Sequence, residues 1–299
     1  MSSLAERLTS RWRSLRERLE LGRVEARSHH VYDQLTREDL SREDPGLTER
    51  DFSSLFQPPE ARVDRFLGLY TKEGGQLALE RYGFLQMLRE KGFDNLLLST
   101  DTSDASRHAL RIHFDQRDPE HLLVEMVLGF NQLRLPNGTT GKMLSVEWLL
   151  MQDPRRSFPS DRPRLPDQQH PGLGLFYWQG QLLRLMATRL ECDGLMNNPQ
   201  QFHNGSLYGK AMKFVDPVDE GTLRALERDL ACVPLGEASH AVDAGRVREV
   251  GGDTFQWKAH PQVLPISLSM QVYFDSKEYQ SHVVEVRDRT EFELEDAPA

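Results

Sequence analysis

Cysteine is nearly absent from this chain, whose 299 residues hold only Cys192 and Cys232. Two such thiols supply neither a disulfide framework nor the paired spacing of a zinc site, and a reducing cytoplasm is the expected setting. Long apolar runs are missing too. No stretch approaches the roughly 18 residues of a membrane-spanning helix, so no membrane partner is expected. The start, MSSLAERLTSRWRSLRERLELGR, lacks the continuous apolar segment of a secretory signal. Without one, Asn137-Gly-Thr and Asn204-Gly-Ser mean little as glycosylation patterns. Hydrophobic residues make up only 38% of the chain, which implies extended polar regions beside one large domain or two ordinary ones. Positive charge is also short. Thirty-seven Lys and Arg stand against 46 Asp and Glu, a net charge of −9, which argues against a nucleic-acid partner. His29-His30 has no partners at ligand spacing, so no metal is expected. PNGTTGKM superficially suggests a phosphate loop, but Pro136 and Met143 stand where that loop needs glycine and a hydroxyl residue.

What is present falls into periodic segments. Residues 1–27 read as a charged helix with an incomplete leucine stripe, and residues 28–60 as loops and short helical turns. Val63, Phe66, Leu67 and Tyr70 suit one helix, and GQLALERYGFLQMLREKGF suits a second, closed by Lys91 and Gly92. Strands are expected in FDNLLLST, HALRIHFD, HLLVEMVLGFNQLRL and MLSVEWLLMQ, the last two joined by a turn at Asn137-Gly138. A helix follows Gly172-Leu-Gly174. Next come a short strand in DGLMNNP and a helix from about Asn204 through FHNGSLYGKAMKF. DEGTLRALERDLACV and GEASHAVDAGRV read as helices, Ile266–Phe274 alternates like a strand, and Tyr279, Val283 and Val286 repeat at helical spacing. The fold class is therefore α/β (α+β), a mixed sheet with helices packed on it.

The two glycines before the long helix need a reason. Glycine in a helix interior costs about 1 kcal/mol relative to alanine, so Gly172 and Gly174 mark a backbone that turns tightly or approaches something closely. A helix N-terminus presents unpaired N–H groups suited to a phosphate.

Gln169-His-Pro-Gly172-Leu-Gly174 resembles the Q/R-x-x-G-x-G/A pattern of the general N-acetyltransferase (GNAT) superfamily. In that family the pattern lies between the fourth strand and a helix, and its amides hold the pyrophosphate of acetyl-coenzyme A. The family then has a fifth strand and a helix beginning near an asparagine, with a tyrosine and a terminal phenylalanine. Asn204, Ser206, Tyr208 and Phe214 stand in matching places. The resemblance covers residues 76–216. It implies a GNAT-like acyl-CoA-binding domain over 76–230, a charged helical extension at 1–75 and a C-terminal α/β extension at 231–299.

The resemblance implies transfer of an acetyl group from acetyl-CoA to an amine acceptor, small molecule or protein, and allows a homodimer. Gln169, His170, Gly172, Leu173, Gly174 and Asn204 become the cofactor-binding residues. Glu147, flanked by Val146 and Trp148 as apolar walls, becomes the base that takes the amine proton. Tyr208 becomes the acid that protonates the departing thiolate. His170 and His203 flank the site as alternative bases, and Asp153 is a weaker candidate for holding the amine. The sequence departs from the family in two ways. Pro171 removes one amide donor from the loop, and an inserted DPRRSFPSDRPRLPD places Arg155, Arg156, Arg162 and Arg164 where they either reach phosphate or face solvent. These departures keep open a non-catalytic module that binds acyl-CoA or a protein.

Overall fold

The structure is a computed structural model that describes Gly22 and residues 25–42, 65–159 and 164–295. Most of the expected helix at 1–27, the loops of 43–60, Val63 and Arg162 lie outside these residues. The fold is mixed α/β: helices flank sheet strands, of which 122–134, 140–151, 194–197, 262–265 and 213–214 lie side by side in that order, and strands 247–249 and 292–294 form a separate pair. The described residues divide into two compact units, one drawn from residues 22–121 and 174–186, the other from residues 122–173 and 187–295.

In the first unit, residues 25–34 are helical, and α1 (Arg37–Leu40) follows. Thr36 and Asp39 cap α1 reciprocally, each side chain bonding the other's backbone N–H. The helix expected at Val63–Tyr70 is absent over its described part. Phe66 and Tyr70 bridge to each other instead, and Leu67 and Gly68 take left-handed φ values of 53° and 72°, which a right-handed helix excludes. The next expected helix is two, α2 (Lys72–Arg81) and α3 (Phe84–Glu90). Gly83 separates them at φ 80°. The antiparallel hairpin of β1 (Leu96–Asp104) and β2 (Arg107–Phe114) completes the described strands of this unit.

In the second unit, β3 (Leu122–Arg134) and β4 (Thr140–Met151) are antiparallel, with Asn137-Gly138 at the turn as expected. The loop after β4 leads out to α4 (Phe176–Arg189), most of which is counted in the first unit, and the second unit resumes with β5 (Gly194–Asn197), α5 (Phe202–Tyr208) and β6 (Lys213–Phe214). Residues 217–295 supply α6 (Pro217–Asp229), α7 (Leu235–Asp243), β7 (Val247–Glu249), β8 (Gln262–Pro265), α8 (Leu268–Phe274), α9 (Lys277–Arg289) and β9 (Phe292–Leu294). Ile266–Phe274 is therefore mostly helix, not strand. Met270, Tyr273 and Phe274 bury at helical spacing, while exposed Leu268 and Val272 imitate an alternating pattern. β8 pairs antiparallel with both β5 and β6.

Two apolar clusters hold this unit. One gathers Phe202, Leu223, Leu226, Val242, Val247 and Phe292. The other gathers Met143, Met196, Val263, Met270, Phe274 and Tyr279. Tyr273 and Tyr279 donate their hydroxyls to the carbonyls of Val215 and Phe214, at 2.8 and 2.6 Å, so the C-terminal helices are tied to β6 by polar as well as apolar contacts. Burial pushes the Tyr273 phenol up to about 12 and raises that of Tyr279 further.

Candidate functional site

The site begins where two parallel strands part. β4 and β5 pair from Met143↔Gly194 to Val146↔Asn197, and β4 then runs on from Glu147 to Met151 without β5 beside it. The departure coincides with a bulge. Leu128 faces Val146 and Val127 faces Trp148, so Glu147 is the extra residue that the ladder skips. A bulge re-aims its side chain and strengthens the local twist. Glu147 is thus set apart from the strand's ordinary alternation at the mouth of the fork.

Asn197 occupies the last paired position of β5, and Gln262 of β8 lies opposite it. Both side chains are buried. Gln262 donates its amide to the Gly205 carbonyl at 3.0 Å, but Gln262 Oε1 and Asn197 Oδ1 have no partner among the described residues. Two orphaned acceptors side by side are what a bound N–H or O–H donor would satisfy. Sequence reasoning missed this pair, because neighbouring positions on β5 and β8 lie far apart along the chain.

Beyond β4 the chain turns back on itself. Gln152 bridges to Gly172, and Asp153 donates its N–H to the Pro171 carbonyl at 2.8 Å. Pro171, which offers no donor, is therefore used through its acceptor. The amides of Gly172 and Gly174 meet no acceptor among the described residues. Asp167 (φ 59°) and Gly174 (φ 70°) are the left-handed residues that bracket this loop. A β-carbon on Gly172 would meet only the Met151 carbonyl at 3.6 Å, an ordinary contact, and around Gly174 there is open space. Gly174 is thus required by its backbone angle. Among the described residues, nothing requires Gly172 to be glycine. Exposed Gly172 and Gly174 flank buried Leu173, with Gln169 exposed and His170 half-buried.

A hydrogen bond from Gln201 Nε2 to Asp167 Oδ2 joins the loop to α5. Gln201 is the N-cap position of that helix, so Asn204 lies in the first turn and is not the cap. The helix ends at Tyr208, and Phe214 belongs to β6. Tyr208 is half-buried, and burial raises its phenol above the ordinary tyrosine range. A phenol so placed stays protonated at neutral pH, as an acid must.

Other expectations fare differently. Glu147 and Trp148 are both exposed, so the apolar walls anticipated around the glutamate are not built. Asp153 is buried and accepts the Arg155 N–H at 3.1 Å, which occupies it in the turn. His203 is buried, with Nδ1 2.9 Å from Ser239 Oγ, and burial lowers its pKa to about 4. It is neutral at pH 7 and a weak base. Of the inserted arginines, Arg155 and Arg156 are exposed, while Arg164 lies over Phe158 and its carbonyl meets His240 Nε2 at 2.8 Å. Cys192 is buried and burial raises its thiol pKa, the opposite of an activated nucleophile.

No protein-family model and no curated protein matches this chain.

Proposed function

We propose that the protein is an acyltransferase of the GNAT type, moving an acetyl group from acetyl-CoA to an amine. The observation that carries the reading is the fork: a parallel strand pair that parts at a bulged glutamate, followed by a glycine loop opening a helix. The loop suits a pyrophosphate because Gly172 leaves space that no described residue fills, beside amides that meet no acceptor among the described residues. The orphaned oxygens of Asn197 and Gln262 suit a donor seated where the strands separate.

In this reading the neutral amine nitrogen attacks the thioester carbonyl carbon. A C–N bond forms and the C–S bond breaks. Glu147 takes the proton the nitrogen sheds, and Tyr208 gives its phenolic proton to the departing thiolate. Holding the two substrates in line supplies most of the acceleration, with proton transfer adding about 10²–10⁴-fold. Gln169, His170, Leu173 and Asn204 complete the proposed cofactor contacts.

The exposure of Glu147 favours a second reading, a module that binds acyl-CoA without transferring from it. A coenzyme-A release assay across a panel of amines, run beside calorimetry with acetyl-CoA, separates the two. Binding with release supports the transferase, binding alone the module, and no binding removes both.

A further inference from the structure

A second concavity lies in the same unit, away from the glycine loop in sequence. It is an open concavity of about 590 Å³ between α6 and residues 249–260, within the size range of small-molecule sites. Its walls are aromatic and its charge is mostly negative. Phe255 and Trp257 line it, and neighbouring rings hold both in place. Trp257 packs edge-on against Phe202 and Phe214, with centroids 5.8 and 6.0 Å away, and donates Nε1–H to the Pro199 carbonyl at 2.9 Å. Phe255 packs edge-on against Phe292 at 5.1 Å.

Asp219 and Thr222, one turn apart on α6, face the same space. Asp219 Oδ2 lies 2.7 Å from His260 Nδ1, and Oδ1 meets no donor among the described residues. Burial raises the Asp219 pKa more than His260 lowers it, so this single partner does not offset the desolvation. Thr222 donates its hydroxyl to Val218, which leaves the oxygen able to accept. Glu249 and Asp253 add negative charge at the rim, against Lys258 and His260.

We infer that this pocket binds an organic cation, an ammonium group carried on an apolar body, with Asp219 as counter-ion and Trp257 and Phe255 as the wall. Aromatic faces attract such cations, and more strongly when water is partly excluded. The inference stands apart from acyl transfer and uses none of the residues assigned to it.

Calorimetry on the full chain tests it with three probes of similar size: benzyltrimethylammonium, neutral benzyl alcohol and anionic phenylacetate. The cation is expected to bind at least tenfold more tightly than either comparator, and Asp219→Asn to remove that preference. Lys258→Glu changes an exposed residue and leaves the fold intact. It is expected to tighten cation binding severalfold, and it keeps the test valid should Asp219→Asn unfold. Binding unchanged in Gly172→Val supports a separate site. Absence of binding by every probe, tighter binding of phenylacetate, or unaltered cation affinity in Lys258→Glu overturns the inference.

Discussion

Gly174 and Gly172 look alike in the sequence and differ in the structure. Gly174 sits at φ 70° with open space around it. Gly174→Ala should therefore lower stability by about 1–2 kcal/mol through backbone strain alone, read as a lower unfolding midpoint. No steric cost adds to it, since a β-carbon there would meet nothing within 4 Å among the described residues. The proposed chemistry makes a different demand at Glu147 and Tyr208. Glu147→Gln and Tyr208→Phe should each cut turnover at least tenfold while acetyl-CoA affinity, measured by calorimetry, stays nearly constant. Unaltered turnover in both would leave substrate positioning as the whole of any catalysis. His203 carries a pH signature. Its folded pKa of about 4 lies below the ordinary 6.5, so its neutral form is favoured by folding. That stability is complete above pH 6.5 and is lost as pH falls toward 4, an amount on the order of 3 kcal/mol. Urea unfolding at pH 7 and pH 4.5 should show a smaller loss in His203→Gln than in the unaltered chain. An equal loss would assign the acid sensitivity to other groups.

Elements were legible where one period dominated. The alternation of HALRIHFD and the Asn137-Gly138 turn locate β2 and the β3–β4 hairpin closely. Ile266–Phe274 was not legible, because the seven residues of α8, with Leu268 and Val272 exposed, fit both periods and only packing decides between them. Nor was the break at Gly83, where a left-handed residue divides an otherwise continuous helical pattern. Helix packing gives a prediction of opposite sign to propensity. A β-carbon on Gly221 of α6 would stand 2.6 Å from Val286 Cβ and 2.8 Å from the Val283 carbonyl on α9. Glycine to alanine in an open helix stabilises by about 1 kcal/mol. Here Gly221→Ala should instead destabilise by about 1–3 kcal/mol from overpacking, measured by denaturant titration. A gain in stability would show that α6 and α9 can separate at that point without cost.

At the scale of the whole molecule, order along the chain foretold less. The glycine motif, the strand before it and the helix after it could be read from residues 143–189. The fork follows from the family resemblance alone, which implies parallel fourth and fifth strands that splay apart; local patterning does not reveal it, because the pairing joins residues about fifty positions apart. Likewise β8 comes from the stretch expected to be a C-terminal extension, yet it pairs with β5 and β6 and sets Gln262 beside Asn197. Among the described residues no helix is long and apolar enough to cross a membrane. The central claim is that Gly172 is a glycine for a ligand's sake and not for the fold's. Thermal unfolding with and without millimolar acetyl-CoA tests it, since a ligand that binds only the folded state raises the midpoint. The account predicts a clear rise for the unaltered chain and none for Gly172→Val, with equal midpoints for the two when no ligand is present. No rise in the unaltered chain, or the same rise in both, would contradict it.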